Sequence, residues 1–257
     1  MNTFRESTLK FSLIILMLTL AFNQISCSMS AEQELSKAEK IEALLKTYSD
    51  YGMFNGTALV SHEGKLIYKK GFGFANMEWD IPNEADTKFR IASISKQFTA
   101  MLVMQFVEEG KLDLQVPISS YLSHFPKDKA DKITLHHLLT HSSGLARTEK
   151  EDTKRYTVGS MVEAIGKEEL EFEPGNRYDY SNSGYKVLGY ILETISGKSY
   201  EELIKERIFE PLKMNNSGYD HTMTVLKNRA SGYRKSSRQY FNANYYHMSI
   251  PYSAGSL

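Results

Sequence analysis

The 257-residue chain balances 31 acidic against 31 basic side chains, so no net field selects nucleic acid or an anionic membrane surface. At 41% hydrophobic and 24% charged it has the makeup of a globular protein with a sizeable core, and its length suits one large domain or one domain with an insertion. A single cysteine excludes a disulfide scaffold.

The N-terminus reads as a targeting segment. Arg5 and Lys10 precede the apolar run FSLIILMLTLAF over 11–22, which is too short to span a bilayer comfortably and has the layout of a secretory signal. Residues 1–30 are therefore expected to be a leader and 31–257 the working domain. Cys27 follows the run, with Ser26 before it, in a position that resembles the lipid-attachment cysteine of bacterial lipoproteins. Gln24 departs from the aliphatic residue usual three positions earlier. Lipidation at Cys27 and ordinary cleavage near Ser28 or Ser30 both stay open. Either route exports the protein, to the periplasm or to a membrane as an anchored lipoprotein.

Helical spacing of Leu35, Ala38, Ile41, Leu44, Leu45 and Tyr48 predicts a helix over 31–51, ended by Gly52. The β-rich runs TALVSH (57–62) and KLIYKKGFGF (65–74) flank Glu63-Gly64, a hairpin signal. Gly71 and Gly73 suggest a twist or bulge in its second arm. The polar stretch 76–88 reads as a surface loop. From Ser93 to Glu109 apolar residues wrap most of a helix, which predicts burial all round. A turn and short helix over 111–125 follow. Residues 132–145 start with Thr134 as an N-cap and end in a Ser-Ser-Gly turn. Residues 149–159 form a charged loop. Short helices are expected over 160–167, 183–196 and 199–209, the last two separated by Gly197 and the final one stopped by Pro211. Residues 213–257 are tyrosine- and turn-rich with little periodicity. A helix, a hairpin and then mainly helices indicate an α/β domain with a helical insertion.

Chemistry enters with Ser93 and Lys96. Residues three apart share a helix face, which sets the amine beside the hydroxyl. A serine hydroxyl is a weak nucleophile until a neighbouring base takes its proton. The Ser-x-x-Lys spacing occurs at Ser7/Lys10, Ser93/Lys96 and Ser183/Lys186, so alone it says little, and a helix N-cap is the plainer reading of Ser93. Tyr180-Ser181-Asn182 lies in a loop between Pro174-Gly175 and a helix. A tyrosine near a lysine can carry a proton, and Asn182 offers a side-chain donor and acceptor to a substrate amide.

The two motifs together, with TALVSHEGKLIYKKGFGFAN, FRIASISKQFTAMLV, EEGKLDLQVPISSYL, ITLHHLLTHSSGL and FEPGNRYDYSNSGYKVLG, resemble the serine β-lactamase and penicillin-binding protein superfamily. Within it they look most like the class C β-lactamase-related serine hydrolases. That resemblance implies an α/β (α+β) fold in which helices flank an antiparallel sheet, with a mainly helical insertion and the active site at the seam. It implies Ser93 as the acylated nucleophile, Lys96 as its partner, Tyr180 as general base and Asn182 as a contact to the substrate amide and to Lys96. The identity of the base in related enzymes is disputed. The expected substrate is a small molecule or peptidoglycan-type peptide: a β-lactam, a D-Ala-type peptide or an ester. No metal or organic cofactor is implied.

The superfamily's third motif, His/Lys-Ser/Thr-Gly, is absent from the sequence: His141-Ser142-Ser143-Gly144 has one residue too many, and Met223 follows His221-Thr222. The C-terminal strands are thus expected to be missing. The alternative expectation is a truncated, non-catalytic remnant or binding module of the same family. His137 and His141 stand four apart but suggest no third metal ligand, and a structural turn is the stronger reading. No Gly-x-Ser-x-Gly elbow and no glycine-rich phosphate loop occur.

Overall fold

In a computed structural model, the structure describes residues 35–148, 154–237 and 239–257. The expected leader 1–30 with Cys27, residues 31–34 of the expected first helix, and residues 149–153 of the charged loop lie outside them. Ser36 opens helix α1 (Lys37–Asp50): its Oγ accepts from the Glu39 backbone N–H while the Glu39 carboxylate accepts from the Ser36 N–H at 2.8 Å. The helix is tied to the hairpin beside it, because Tyr68 and Lys70 both donate to the Glu42 carboxylate.

Strands β1 (Gly56–His62) and β2 (Lys65–Phe72) pair antiparallel, as the turn signal foretold. Val60 faces Tyr68 and Ser61 faces Leu66, so Ile67 is the extra residue of a bulge. The bulge lies away from the two glycines that had suggested one. Gly71 is needed for a different reason: a Cβ there would stand 1.9 Å from the Asn83 carbonyl oxygen. The polar stretch over 76–88 read as a loop holds β4 (Ile81–Pro82), which pairs with β3 (Phe74–Asn76) at the end of the run read as the second arm.

Helix α2 (Ser95–Glu108) is preceded by a single 3₁₀ turn at Ala92–Ile94. The expectation of burial on all sides is corrected. Ser95, Lys96, Thr99, Leu102, Val103 and Phe106 are buried, whereas Met101 and Met104 are 54% and 44% exposed. The helix packs against two later helices and the turns over 205–209 and 252–254. Next come a 3₁₀ turn at Ile118–Ser120, α3 (Lys127–Ala130), α4 (Leu135–Leu139) and α5 (Val158–Lys167). Thr134 caps α4 as anticipated, its hydroxyl accepting from the His137 N–H.

Helix α6 (Asn182–Ser196) starts where the Ser181 hydroxyl accepts from the Gly184 N–H and ends at Gly197, whose φ of 70° is the left-handed cap glycine supplies readily. Val187, Leu188, Ile191 and Leu192 are fully buried and share one core with Leu102, Phe106, Leu135, Leu138, Val162 and Ile165. Helix α7 (Tyr200–Ile204) has a Ser199/Glu202 capping box and runs into a π turn at Lys205–Phe209. The tail read as aperiodic contains the hairpin of β5 (Tyr233–Ser236) and β6 (Gln239–Asn242). It also contains Met248, Ile250, Tyr252, Ala254 and Leu257, all buried. Among the described residues the fold is thus mixed α/β: three two-stranded antiparallel ladders beside a mainly helical body. None of the described helices is long and apolar enough to cross a membrane.

Candidate active site

Three segments distant in sequence meet at Lys96, the hydrogen-bond partner of Ser93. The first is the turn leading into α2. Ala92 takes φ 46°, a left-handed conformation uncommon for a residue with a Cβ, and so bends the chain just before the serine. The bend is braced from behind, since the Ile91 N–H donates to the Leu257 carbonyl at 2.9 Å. Ser93 itself is exposed, while Lys96, one helical turn on, is only 6% exposed.

The second segment is the entry to α6, and the third is the 3₁₀ turn Tyr252–Ala254. The Lys96 ammonium donates to Ser93 Oγ at 3.2 Å, to Asn182 Oδ1 at 2.5 Å and to the Ala254 carbonyl at 2.9 Å. An ammonium has three N–H donors, and each finds a neutral oxygen. Aromatic faces complete the setting: Nζ lies 4.8 Å from the Tyr180 ring centre and 5.5 Å from that of Tyr185. Cation–π attraction offsets part of the cost of burying the charge. The C-terminal turn is held down independently. Thr99 Oγ1 donates to the Ser253 carbonyl at 2.6 Å, Ser253 Oγ donates to the Tyr185 carbonyl at 2.8 Å, and the Leu257 N–H donates to Ser95 Oγ at 3.2 Å.

All four residues singled out in the sequence are therefore brought together: Ser93, Lys96, Tyr180 and Asn182. The competing Ser-x-x-Lys pair is set apart. Ser183 is fully buried, and its hydroxyl donates to the Ala146 carbonyl at 2.7 Å. Ser7/Lys10 lies outside the described residues. Two contributors were not foreseen at the site. The Ala254 carbonyl is a backbone group and carries no side-chain signal. His141, weighed as a metal ligand and read instead as part of a structural turn, stacks on Tyr180 with ring centres 4.6 Å apart. Among the described residues no group of His, Cys, Asp or Glu is arranged to hold a metal ion. A cleft of about 610 Å³, lined in part by Arg90, Ile91, Asp220, Arg229 and Leu257, opens beside the chain as it approaches Ser93.

Chemically, the arrangement offers an exposed hydroxyl, an amine in hydrogen-bond reach of it, a phenol ring beside that amine and an amide group on the same amine. These are the parts needed to take a proton from a nucleophile and return it to a leaving group.

The Beta-lactamase family model matches residues 38–256. A penicillin-binding protein of Bacillus subtilis strain 168 is 34% identical over 188 residues, covering 70% of this chain and 41% of its own. The teichoic acid D-alanine hydrolase of Staphylococcus aureus is 32% identical over 202 residues, covering 78% of this chain and 49% of its own. Among crystal structures, FmtA of Staphylococcus aureus superposes with a TM-score of 0.76 at 28% identity, over 88% of this chain and 64% of that one. The D-amino acid amidase of Ochrobactrum anthropi SV3 superposes with a TM-score of 0.73 at 27% identity, over 86% and 66%. The chain spans about half the length of the curated relatives it matches.

Proposed function

The chain belongs to the Beta-lactamase family, and from that premise we propose that it is a serine hydrolase acting through an acyl-enzyme on an amide or ester. The observation that carries this reading is the Lys96 amine, buried and within 3.2 Å of the exposed Ser93 hydroxyl. In this scheme Ser93 is the nucleophile, the Lys96–Tyr180 pair is the base, and Asn182 orients Lys96 and the substrate amide. Oγ of Ser93 attacks the carbonyl carbon as its proton passes to the pair, which accepts it only when one proton short of the ammonium–phenol state, as amine with phenol or ammonium with phenolate. The pair returns that proton to the leaving amine or alcohol as the acyl bond breaks. A water then repeats the sequence on the Ser93 ester and releases the acid. Relatives named for D-alanine hydrolysis and D-amino acid amide hydrolysis favour a small D-alanyl-type amide, peptide or ester, with β-lactams as the pseudo-substrate class.

The test is covalent labelling of the full chain with a fluorescent penicillin and with a fluorophosphonate. The expected result is one adduct mapped to Ser93 and none in Ser93→Ala. Labelling that survives in Ser93→Ala removes Ser93 as nucleophile. A folded protein that neither probe labels removes the hydrolase reading in favour of a non-catalytic binding role.

We further propose that residues 1–30 are an export leader ahead of a hydrolase domain over 31–257, processed either by lipid attachment at Cys27 or by cleavage near Ser28 or Ser30. Intact-mass analysis of the mature protein decides this: a lipid-modified Cys27 start supports the anchor, and an unmodified start near Ser28 or Ser30 replaces it with plain secretion.

A further inference from the structure

We propose that His141 is the positioning residue that holds Tyr180 against Lys96, acting as a neutral imidazole whose Nδ1 is an acceptor. The proposal rests on Tyr180 belonging to the base. His141 grips the Tyr180 segment at three points. Its backbone carbonyl accepts from the Asp179 N–H at 2.8 Å. Its Nδ1 accepts from the Ser181 N–H at 3.1 Å. Its ring lies on the Tyr180 ring, centres 4.6 Å apart and planes 34° apart. The residues just before and just after Tyr180 are thus pinned to the same histidine that covers its face.

The histidine is fixed in turn. Its ring also meets Tyr185 on α6, with ring centres 5.1 Å apart, and Tyr178, with centres 5.8 Å apart, and the Tyr185 hydroxyl donates to the Leu139 carbonyl at 3.2 Å. Its backbone takes φ 58°, which a histidine adopts more readily than most side chains. That turn is what lets carbonyl and imidazole reach the same strand of chain. Because Nδ1 accepts from a backbone N–H, the ring proton must sit on Nε2. A charged imidazole would point a donor at a donor and stand beside the Lys96 ammonium. Burial, reinforced by Lys96, holds the imidazole below its ordinary pKa, in keeping with a neutral ring.

Two measurements on the full chain test this. The first is long-range ¹H–¹⁵N NMR of histidine-labelled protein at pH 7, with the His141 signals identified by their loss in His141→Asn. A neutral Nε2–H tautomer supports the proposal, and an Nδ1–H or charged ring overturns it whatever the activity. The second compares the rate of Ser93 acylation by fluorescent penicillin in wild type, His141→Gly, His141→Asn and Tyr180→Phe. Glycine and asparagine both tolerate the left-handed backbone, and asparagine keeps an acceptor where Nδ1 stood. Glycine should slow acylation on the order of 10²-fold through misplacement of the base, and asparagine should recover most of that loss at an equal melting temperature. Wild-type acylation in His141→Gly while Tyr180→Phe is slow overturns the positioning role. Wild-type acylation in Tyr180→Phe removes Tyr180 from the base instead, and the tautomer then decides the case of His141.

Discussion

Lys96 donates to the carbonyl oxygen of Ala254 at 2.9 Å, across 158 residues of chain. The contact means that the proposed nucleophile's partner is oriented by backbone from the far end of the described fold. A side chain can be exchanged without moving this carbonyl, but anything that shifts the Tyr252–Ala254 turn will move it.

Replacing Lys96 with methionine keeps much of the length and removes all three donated bonds. Acylation of Ser93 should fall by about 10²–10⁴-fold, the usual worth of a positioned proton-transfer group. The Asn182 and Ala254 oxygens lose a donor, so stability should fall by about 1–3 kcal/mol. Arginine should not rescue, because a planar fork does not fit acceptors disposed around a compact ammonium. Stopped labelling assays and urea melts read the two effects, and full labelling by Lys96→Met would remove the amine from the mechanism.

Gly189 is where α6 yields to the C-terminal turn. A Cβ there would lie 2.2 Å from Ser253 Oγ and 2.6 Å from Ser253 Cβ. Gly189→Ala should therefore push the turn off α6 and destabilise the fold by about 1–3 kcal/mol through overpacking. Because the same turn carries the Ala254 carbonyl, acylation should slow as well. A Gly189→Ala protein that melts and labels like wild type would show that the turn does not position Lys96.

Much of the site was legible because its chemistry is carried by side chains at short spacings. Ser93/Lys96 and Tyr180/Asn182 each sit at a helix entry; Pro174-Gly175 and the Ser181 cap mark the second locally, whereas no side-chain cap opens α2 and only its long apolar run announces it. Ala254 was not legible, since a carbonyl has no residue identity. His141 was visible as a residue but not as a contact, because stacking on Tyr180 depends on a left-handed turn and on tertiary approach. The same distinction explains the fold. The hairpin at Glu63-Gly64 announces itself through its turn, whereas the β5–β6 hairpin alternates weakly and is exposed on nearly every residue. Helix α2 misled in the opposite direction: composition reports that Met101 and Met104 are apolar, but only tertiary packing decides whether anything covers them.

Acid should weaken the folded protein through its histidines. Burial, with Lys96 second, lowers the His141 pKa below its ordinary 6.5. The groups facing its ring are Lys96 from α2, Tyr185 from α6, and Tyr178, Tyr180 and the Ser181 N–H from the loop before α6. Below pH 6.5 the unfolded chain binds a proton that the folded chain refuses, so stability rises with pH in that window and falls as pH drops toward the folded pKa. His137, lowered mainly by burial, acts with the same sign. Melting temperatures between pH 7 and pH 5 should therefore decline, and less steeply in His141→Asn. An identical slope in the variant would show that His141 takes up its proton without cost.

Asp220 ties the approach to Ser93 to the chain's last residues. It is 7% exposed, accepts from Arg90 Nε at 2.5 Å and from Arg229 at 2.7 Å, and its backbone N–H donates to the Ser256 carbonyl at 2.8 Å. Arg90 itself is 41% exposed, so solvent screens that half of the network and the full value of a buried ion pair does not apply. Asp220→Asn keeps the volume and one acceptor but removes the charge that both guanidinium groups face. Stability should fall by about 1.5–3 kcal/mol at most, the range for hydrogen bonds to charged groups. The loss should shrink at high salt for the exposed Arg90 arm and persist for the Arg229 arm, which is 26% exposed. A double-mutant cycle of Asp220→Asn with Arg90→Gln and with Arg229→Gln separates the two arms. A coupling to Arg229 no larger than that to Arg90, in low and high salt alike, would mean that burial does not distinguish them and that Asp220 acts mainly through its backbone bond to Ser256.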